Sequence, residues 1–343
     1  MEKVNRITVF LKDKRKKNYF RILYEVLVLW ITQRQFPSHY FKYQYRKSVK
    51  NYRDYLSNRE SNSIKVSTNF HKEELLTIIS SKLNFALFCK WTNLPVPTLA
   101  SHNFFDSFYL NGEVFPAKTN ADIVAFFNKV FDQTGWNYIF VKPVSLTGGY
   151  GCFRLSKANL VQDIEEAGPS LLSNVCIHEE LVIQHPELNR IHPGCINTLR
   201  LETFIDRKGE VHFLAGFMRF GVGNNHVDNT HKGGLFVGID MERGVLQSIG
   251  HQNMEYGGAE KTEHPETGTV FDGFPIPLFD ETIAMVKHAV KMLPDRYIGW
   301  DVAVTPNGPL IIEANEYPNI SSSEMVYGGY HKNPLFKEIL KDA

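Results

Sequence analysis

The stretch GWDVAVTPNGPLIIEANEYPN, residues 299–319, constrains the fold more than any other part of the chain. Pro306-Asn307-Gly308 is a turn signal between two β-branched and aliphatic runs, so the stretch reads as an antiparallel hairpin. With Thr305 opposite Pro309, the register sets Asp301 against Glu313. Strand side chains alternate between faces, so Glu313 and Asn315 share one face and converge with Asp301. Two opposed carboxylates repel unless a cation lies between them. Two carboxylates and an amide form an oxygen-only set that suits Mg²⁺ or Mn²⁺, ions that also take phosphate oxygens from a substrate. The plainer alternative is a solvated polar face on an ordinary hairpin.

Composition places this hairpin in an ordinary globular chain. With 343 residues, 43% hydrophobic and 22% charged, the chain is long enough for two or three compact units. Its net charge is only +1, but residues 1–70 hold 16 Lys/Arg against 5 Asp/Glu, so the remainder is acidic. Cys89, Cys152, Cys176 and Cys195 show no metal-binding spacing and read as reduced thiols of a cytosolic protein. The 13 histidines contain no HExxH pattern. The apolar run from Val26 to Ile31 is too short to span a bilayer, follows Glu25, and lacks a small-residue cleavage site.

Elements alternate along the chain. Residues 1–66 read as helices with polar joints. Within them, 39–56 interleaves Tyr and Phe with Lys and Arg. That segment suits an anionic membrane surface, a nucleic-acid patch, or a helical cap whose rings lie on the main body. A helical stretch at 67–93, with Thr68 and Ser80 or Ser81 as caps, stops before Pro95 and Pro97. Strands at 137–143 and 151–157 flank a glycine loop, and a helix follows at 157–168. Hairpins occupy 197–221, turning at Asp206 to Gly209, and 233–250. A helix at 280–293, capped by Asp280, buries Ile283, Val286, Ala289, Val290 and Leu293. The expected class is α+β with mostly antiparallel hairpins.

Several short motifs carry chemistry. In FVKPVSLTGGYG, Lys142 ends a strand just before Ser145, Gly148, Gly149 and Gly151. Glycines let backbone N–H groups approach phosphate oxygens, and the lysine adds a point charge. The lysine precedes the glycines, so this is neither a Walker A loop nor a Rossmann fingerprint. Glu179 and Glu180 end a strand that leads to Val182 and Glu187, a segment whose backbone suits a purine edge. Arg200 and Glu202 share a strand face, where the arginine fork matches phosphoryl oxygens. Asn229, His231 and Lys232 lie beside two glycines, a pattern that suits either a second phosphate-side loop or an ordinary structural turn.

A lysine–glycine clamp, a hinge, an arginine strand and a late metal hairpin, in this order, resemble the ATP-grasp superfamily over residues 78–320. That resemblance implies two α+β subdomains gripping Mg-ATP, behind a helical basic N-terminal segment. Domain boundaries are expected at 1–66, 67–136, 137–182 (the small lid) and 183–343 (the large subdomain with the metal site). SKLNFALFCKWTNLPVP looks like the family's early segment, with Lys82 as its lysine and Asn93 where glycine is common. By the same resemblance, Lys142 reaches the α/β phosphates and Ser145 to Gly151 cover the β/γ phosphates. Glu179, Glu180 and Val182 form the adenine hinge, and Glu187 accepts from the ribose. Asp301, Glu313 and Asn315 hold the metal.

EELVIQHPELN, INTLRLETF and the THKGG…GID run are most similar to the sugar-transfer-associated ATP-grasp group, tied to cell-surface polysaccharide synthesis. D-alanine–D-alanine ligases carry an arginine two residues before the metal aspartate. Gly299 stands there in this chain, leaving Arg200, Arg219 or Lys232 to supply catalytic charge. The implied activity is an ATP-dependent carboxylate–amine ligase acting through an acyl phosphate. A kinase of the same superfamily and a non-catalytic nucleotide-binding protein are the alternatives. His226 and Lys232 join Arg200 and Arg219 in an expected cationic pocket for an anionic substrate. The expected location is cytoplasmic, with peripheral contact at the inner membrane face through residues 1–60 and no nucleic-acid partner.

Overall fold

The computed structural model describes residues 3–146, 148–223 and 233–343. The leader begins with α1 (Arg6–Lys12) and α2 (Tyr19–Gln33), whose N-caps Asn5 and Asn18 accept from Ile7 and Arg21 N–H groups. It ends with α3 (Asn58–Val66), opened by a Ser57–Glu60 capping box. Between α2 and α3 the expected helical pattern gives way to two short 3₁₀ turns, Ser38–Lys42 and Tyr52–Asp54. The physical reason is inward packing of the rings. Tyr40, Tyr45, Tyr52 and Tyr55 are all buried. Tyr40 donates to Glu25 at 2.7 Å and Tyr45 to Asp13 at 2.8 Å. Arg46, also buried, bridges Asp13 to Glu260 of the main body at 3.0 and 2.7 Å.

Two helices follow, α4 (Glu73–Ile79) and α5 (Lys82–Thr92). Ser81 caps α5 as expected, whereas α4 starts after Lys72 without a side-chain cap, so Thr68 plays no such part. Asn93 closes α5 at φ 55°, the left-handed conformation that glycine or asparagine adopts most readily.

Among the described residues the strands form two antiparallel sheets. The first comprises β1 (Leu99–Phe104), β2 (Ser107–Leu110), β3 (Glu113–Pro116), β4 (Tyr138–Pro143), β5 (Phe153–Ser156) and β6 (Val175–Glu180), in the order β3-β2-β1-β6-β4-β5. Helices α6 (Asn120–Thr134) and α7 (Leu160–Ser173) bury Phe126, Phe127 and Ile164 in a core shared with Phe108, Ile139 and Val141. Helix α7 runs through Pro169, beyond the expected stop at 168.

After the single turn α8 (Pro186–Asn189), the second sheet contains β7 (Thr198–Ile205), β8 (Val211–Phe220), β9 (Leu235–Asp240), β10 (Val245–Gln252) and β11 (Glu260–Lys261). Helix α9 (Phe279–Met292) precedes its last two strands, β12 (Tyr297–Thr305) and β13 (Gly308–Asn315). The strand order is β11-β10-β9-β8-β7-β12-β13. Helix α9 starts after Leu278, so Asp280 lies in the first turn and favours the helix through its charge rather than as a cap. Val286, Ala289, Val290 and Leu293 are buried as expected, while Ile283 is half-buried.

The chain closes with α10 (Ile320–Tyr327) and α11 (Leu335–Asp342). These helices and α3 enclose a further core of Leu56, Phe70, Phe204, Tyr297, Tyr330 and Phe336. Glu324 ties the leader to this region. Its Oε1 accepts from the Leu56 N–H at 2.5 Å and the Tyr330 N–H at 3.3 Å. Burial pushes the Glu324 carboxyl up to about 8 despite those two donors. It is therefore protonated in the fold, and the stability it contributes is lost as pH rises from the unfolded value through 8. Glu324→Gln should leave stability unchanged near pH 5 and raise it at pH 9, by on the order of 2–4 kcal/mol. Urea unfolding across that pH range checks both ends.

Candidate active site

The β12–β13 hairpin places Asp301 opposite Glu313, by a route the sequence does not display. The turn pairs Thr305 with Gly308, one residue tighter than expected, and the register shifts between Asp301 and Val302. Ile312 is the extra residue of this bulge, so the consecutive residues Ile311, Ile312 and Glu313 all border one cavity between the sheets, while Ala314 belongs to the core. Asn315 reaches the same cavity and donates to the Gly299 carbonyl at 3.3 Å.

The two sheets face each other across a cavity of about 450 Å³. From the second sheet come Thr198, Arg200, Phe217, Arg219, Asp301, Glu313 and Asn315. The first sheet and its glycine loop give Phe140, Lys142, Gly148, Gly149, Ile177 and Glu179. Helix α5 adds Lys82 and Phe85, and Val96 and Pro97 complete that side. The apolar members can hold a flat ring, and seven of the polar members are charged.

Each carboxylate meets a cation of the chain. Asp301, buried on β12, lies between two guanidiniums. Arg200, its cross-strand partner on β7, takes both carboxylate oxygens through Nε and Nη2, the latter at 3.0 Å. Arg219 on β8 reaches Oδ2 at 2.9 Å and donates from Nε to Thr198 Oγ1 at 3.0 Å. Burial alone would raise the Asp301 carboxyl; the two arginines outweigh it and hold the group below the usual range. Lys142 lies 2.6 Å from Glu179. Burial favours loss of its proton, but the Glu179 charge prevails and keeps the ammonium above its ordinary value. Lys82 donates to the Leu146 carbonyl at 2.7 Å and lies 3.5 Å from Glu313, so it links the glycine loop to the metal-type hairpin.

Ten of the residues singled out from the sequence line this cavity: Lys82, Lys142, Gly148, Gly149, Glu179, Arg200, Arg219, Asp301, Glu313 and Asn315. Ser145, Gly151, Glu180, Val182 and Glu187 do not line it. Gly151 serves the loop's shape instead. It sits at φ 70°, and a Cβ there would meet Pro143 at 3.0 Å and Leu146 at 3.2 Å. Glu187 is on the surface beside Arg190, 2.7 Å away. His226 and Lys232 lie outside the described residues, as do Asn229 and His231. Sequence reasoning missed Thr198, Tyr317, Asn319 and Ser322. Only Thr198 carried a signal, standing two residues before Arg200 on the same strand face.

A family model of sugar-transfer associated ATP-grasp proteins matches residues 156–337. The chain belongs to this family. No curated protein matches it. Among solved structures it is similar to the ATP-grasp ligase PsnB complexed with a minimal precursor variant, Mg and ADP, at 14% identity and a TM-score of 0.44. That match covers 80% of this chain but only 62% of the PsnB chain. D-alanyl-alanine synthetase A of Vibrio cholerae is 12% identical, with 78% of this chain and 66% of that one covered and a TM-score of 0.45. An N5-carboxyaminoimidazole ribonucleotide synthetase in its ADP complex is 14% identical, with coverages of 72% and 47% and a TM-score of 0.42.

Gly299 in this ATP-grasp chain has a steric explanation. A Cβ there would lie 2.7 Å from Pro318 Cβ and 3.3 Å from Arg200 Cδ, so Pro318 already fills the space a side chain would need and Arg200 crowds it further. Gly299→Ala should therefore cost about 1–3 kcal/mol of stability by overpacking. Thermal denaturation checks this, and an unchanged midpoint would show that Pro318 yields freely.

Proposed function

We propose that this protein is an ATP-dependent carboxylate–amine ligase of cell-surface polysaccharide synthesis. The observation that carries the reading is one cavity holding four cationic side chains, Lys82, Lys142, Arg200 and Arg219, against an oxygen-only set of Asp301, Glu313 and Asn315. The polysaccharide role rests on the description of the family.

The donor set fits Mg²⁺. It is all hard oxygen, and the Glu313 and Asn315 side chains are partly exposed toward the cavity. Asp301, Glu313 and Asn315 would hold the ion, which when bound supplies neutralisation of phosphate charge. Lys142, kept protonated by Glu179, provides a fixed positive charge for the phosphate chain. Lys82 positions the glycine loop through the Leu146 carbonyl. Phe140, Ile177 and Ile311 offer apolar walls to a base. A substrate carboxylate oxygen attacks the γ-phosphorus, the bond to the ADP oxygen breaks, and an acyl phosphate forms. An amine nitrogen then attacks the acyl carbon, phosphate leaves, and the amine loses a proton. Arg200 and Arg219 orient the anionic substrate and stabilise charge developing on transfer, work that needs positioning rather than covalent help from the protein.

The same proposal includes a site of work. Segment 39–56 is folded inward, yet α1 and α2 leave an apolar face outside. Phe20 is 88% and Ile31 76% exposed, joined by Tyr19, Leu23, Tyr24, Leu27 and Trp30 on α2 and by Ile7 and Leu11 on α1. A chain of ring contacts, Trp30–Phe36–Phe41–Phe10, connects the two helices. Their one carboxylate, Glu25, is buried and paired with Lys17 and Arg21. Lys16 and Arg21 flank the face against Tyr19 and Tyr24. An apolar face without exposed carboxylate and with a cationic rim fits an anionic lipid surface.

Incubation with Mg-ATP, hydroxylamine and a panel of amino acids and uronic acids should yield ADP and a hydroxamate together. ADP without hydroxamate would instead favour a kinase, and a phosphorylated product would establish it. Glu313→Ala, at the part-exposed ligand, should lower ADP formation by about 10²–10³ while the protein stays folded. Near-normal turnover would overturn the metal assignment.

For the lipid surface, the Phe20→Asp, Ile31→Asp double variant should lose sedimentation with anionic vesicles and keep its ADP formation. A wild-type protein that ignores the vesicles and dimerises through this face would overturn the docking proposal alone.

A further inference from the structure

A second cluster of ligand-type side chains lies apart from the carboxylates and cations of the cavity. His192, from the segment between α8 and β7, and His264 and Glu266, from the segment between β11 and α9, bring one ligand atom each within 4.8 Å of one another. Both histidines are buried, at 3% and 0% exposure. Neither ring nitrogen of His192 finds a hydrogen-bond partner among the described residues. Its Nδ1 faces Glu266 Oε2 at 3.3 Å, outside hydrogen-bond alignment. A buried imidazole left in this way is costly unless something else engages it.

The second histidine is oriented as a metal ligand usually is. His264 Nε2–H donates to the Gly221 carbonyl at 2.9 Å, which leaves the Nδ1 lone pair as the acceptor side of the ring. The competitor for that lone pair, the Glu266 N–H, is long at 3.4 Å. Glu266 is also oriented, since its Oε1 accepts from the Gly223 N–H at 2.5 Å and Oε2 is the oxygen turned to His192. The two imidazole centroids are 5.2 Å apart. Two imidazoles on one tetrahedral ion, with metal–nitrogen bonds of about 2.1 Å, place their centroids about 5 Å apart.

We propose that His192, His264 and Glu266 bind a Zn²⁺ ion. Two imidazoles and a carboxylate are a known zinc ligand set, and the 41% exposure of the Glu266 side chain leaves a fourth position for water. The ion joins three segments: the approach to β7, the approach to α9, and the end of β8 through Gly221 and Gly223. Arg219 stands two residues before Gly221 on that strand, so the zinc braces one of the two arginines that hold Asp301.

The test uses full-length protein without a histidine tag, purified without chelators. Elemental analysis should find about one zinc per chain, and removing it should lower the thermal midpoint until zinc alone restores it. Cobalt substitution should give the strong visible absorption of a four-coordinate ion, which an oxygen-rich six-coordinate site does not give. Glu266→Gln, at a part-exposed position, should fold and lose about tenfold or more in zinc affinity, whereas Glu313→Gln should keep zinc and the cobalt spectrum. No zinc, no cobalt band and no stabilisation by added zinc would overturn the proposal. Zinc binding unchanged in Glu266→Gln would overturn it equally. Neither result bears on the ligase reading.

Discussion

Asp301 is the group on which the rest of the site depends. A carboxylate taken out of water costs several kcal/mol unless it is paired and hydrogen-bonded, and removing one partner of such a pair costs about 3–5 kcal/mol. Here the compensation is double. Arg200 grips both oxygens from the neighbouring strand, and Arg219 reaches in from the strand beyond it. Three adjacent strands are thus joined by charge across their cavity face as well as by their backbone ladder. Gly299 borders the same arrangement, since a Cβ there would press on Pro318 at 2.7 Å and on Arg200 at 3.3 Å.

The other ion pairs repeat the pattern. Lys142 faces Glu179, and Lys82 stands near Glu313. Carboxylates suited to a metal ion and cations suited to phosphate are here each other's partners. A ligand that brings both a divalent cation and phosphate oxygens offers every group a substitute of the same sign. Charge is conserved in such an exchange, so the side chains can change partners without any of them being left unpaired and buried.

Farther along the same face, β7 supports the leader. Glu202, two residues after Arg200, accepts from Tyr297 at 2.9 Å and Tyr330 at 2.8 Å and also from Ser323. Burial raises its carboxyl above the usual range although those three hydroxyls and Arg200 pull the other way. Tyr297 and Tyr330 belong to the core that α3 and α11 close, and the Leu56 N–H meets Glu324 there. The leader is therefore part of the frame that holds β7 in place. Its charge surplus follows the same logic. Arg15 and Arg46 meet Glu260, and Arg6 meets Glu255, so basic leader and acidic body are fastened by opposite charge where they touch.

How far the sequence revealed the site depends on how local each feature is. Lys142 with its glycines, Arg200, and the Asp301–Glu313–Asn315 set are readable because each lies within one strand or one hairpin. Even there the facing of Asp301 and Glu313 was reached from a wrong turn register, and the bulge at Ile312 restores it. A bulge has no short sequence signature, so alternation alone cannot place it. The segment read as an adenine hinge was harder, since of Glu179, Glu180 and Val182 only Glu179 lines the cavity and side-chain identity says little about where a backbone runs. Segment 39–56 has helix-compatible composition, but its tyrosines gain more from burial against α2 and Met254 than from a regular spiral. His192 and His264 are the extreme case. They are distant in sequence, with no spacing rule to join them, and only the sheet that brings the end of β8 between their two loops makes them neighbours. Local motifs therefore disclose the walls of this site, while the groups that brace those walls become visible only in three dimensions.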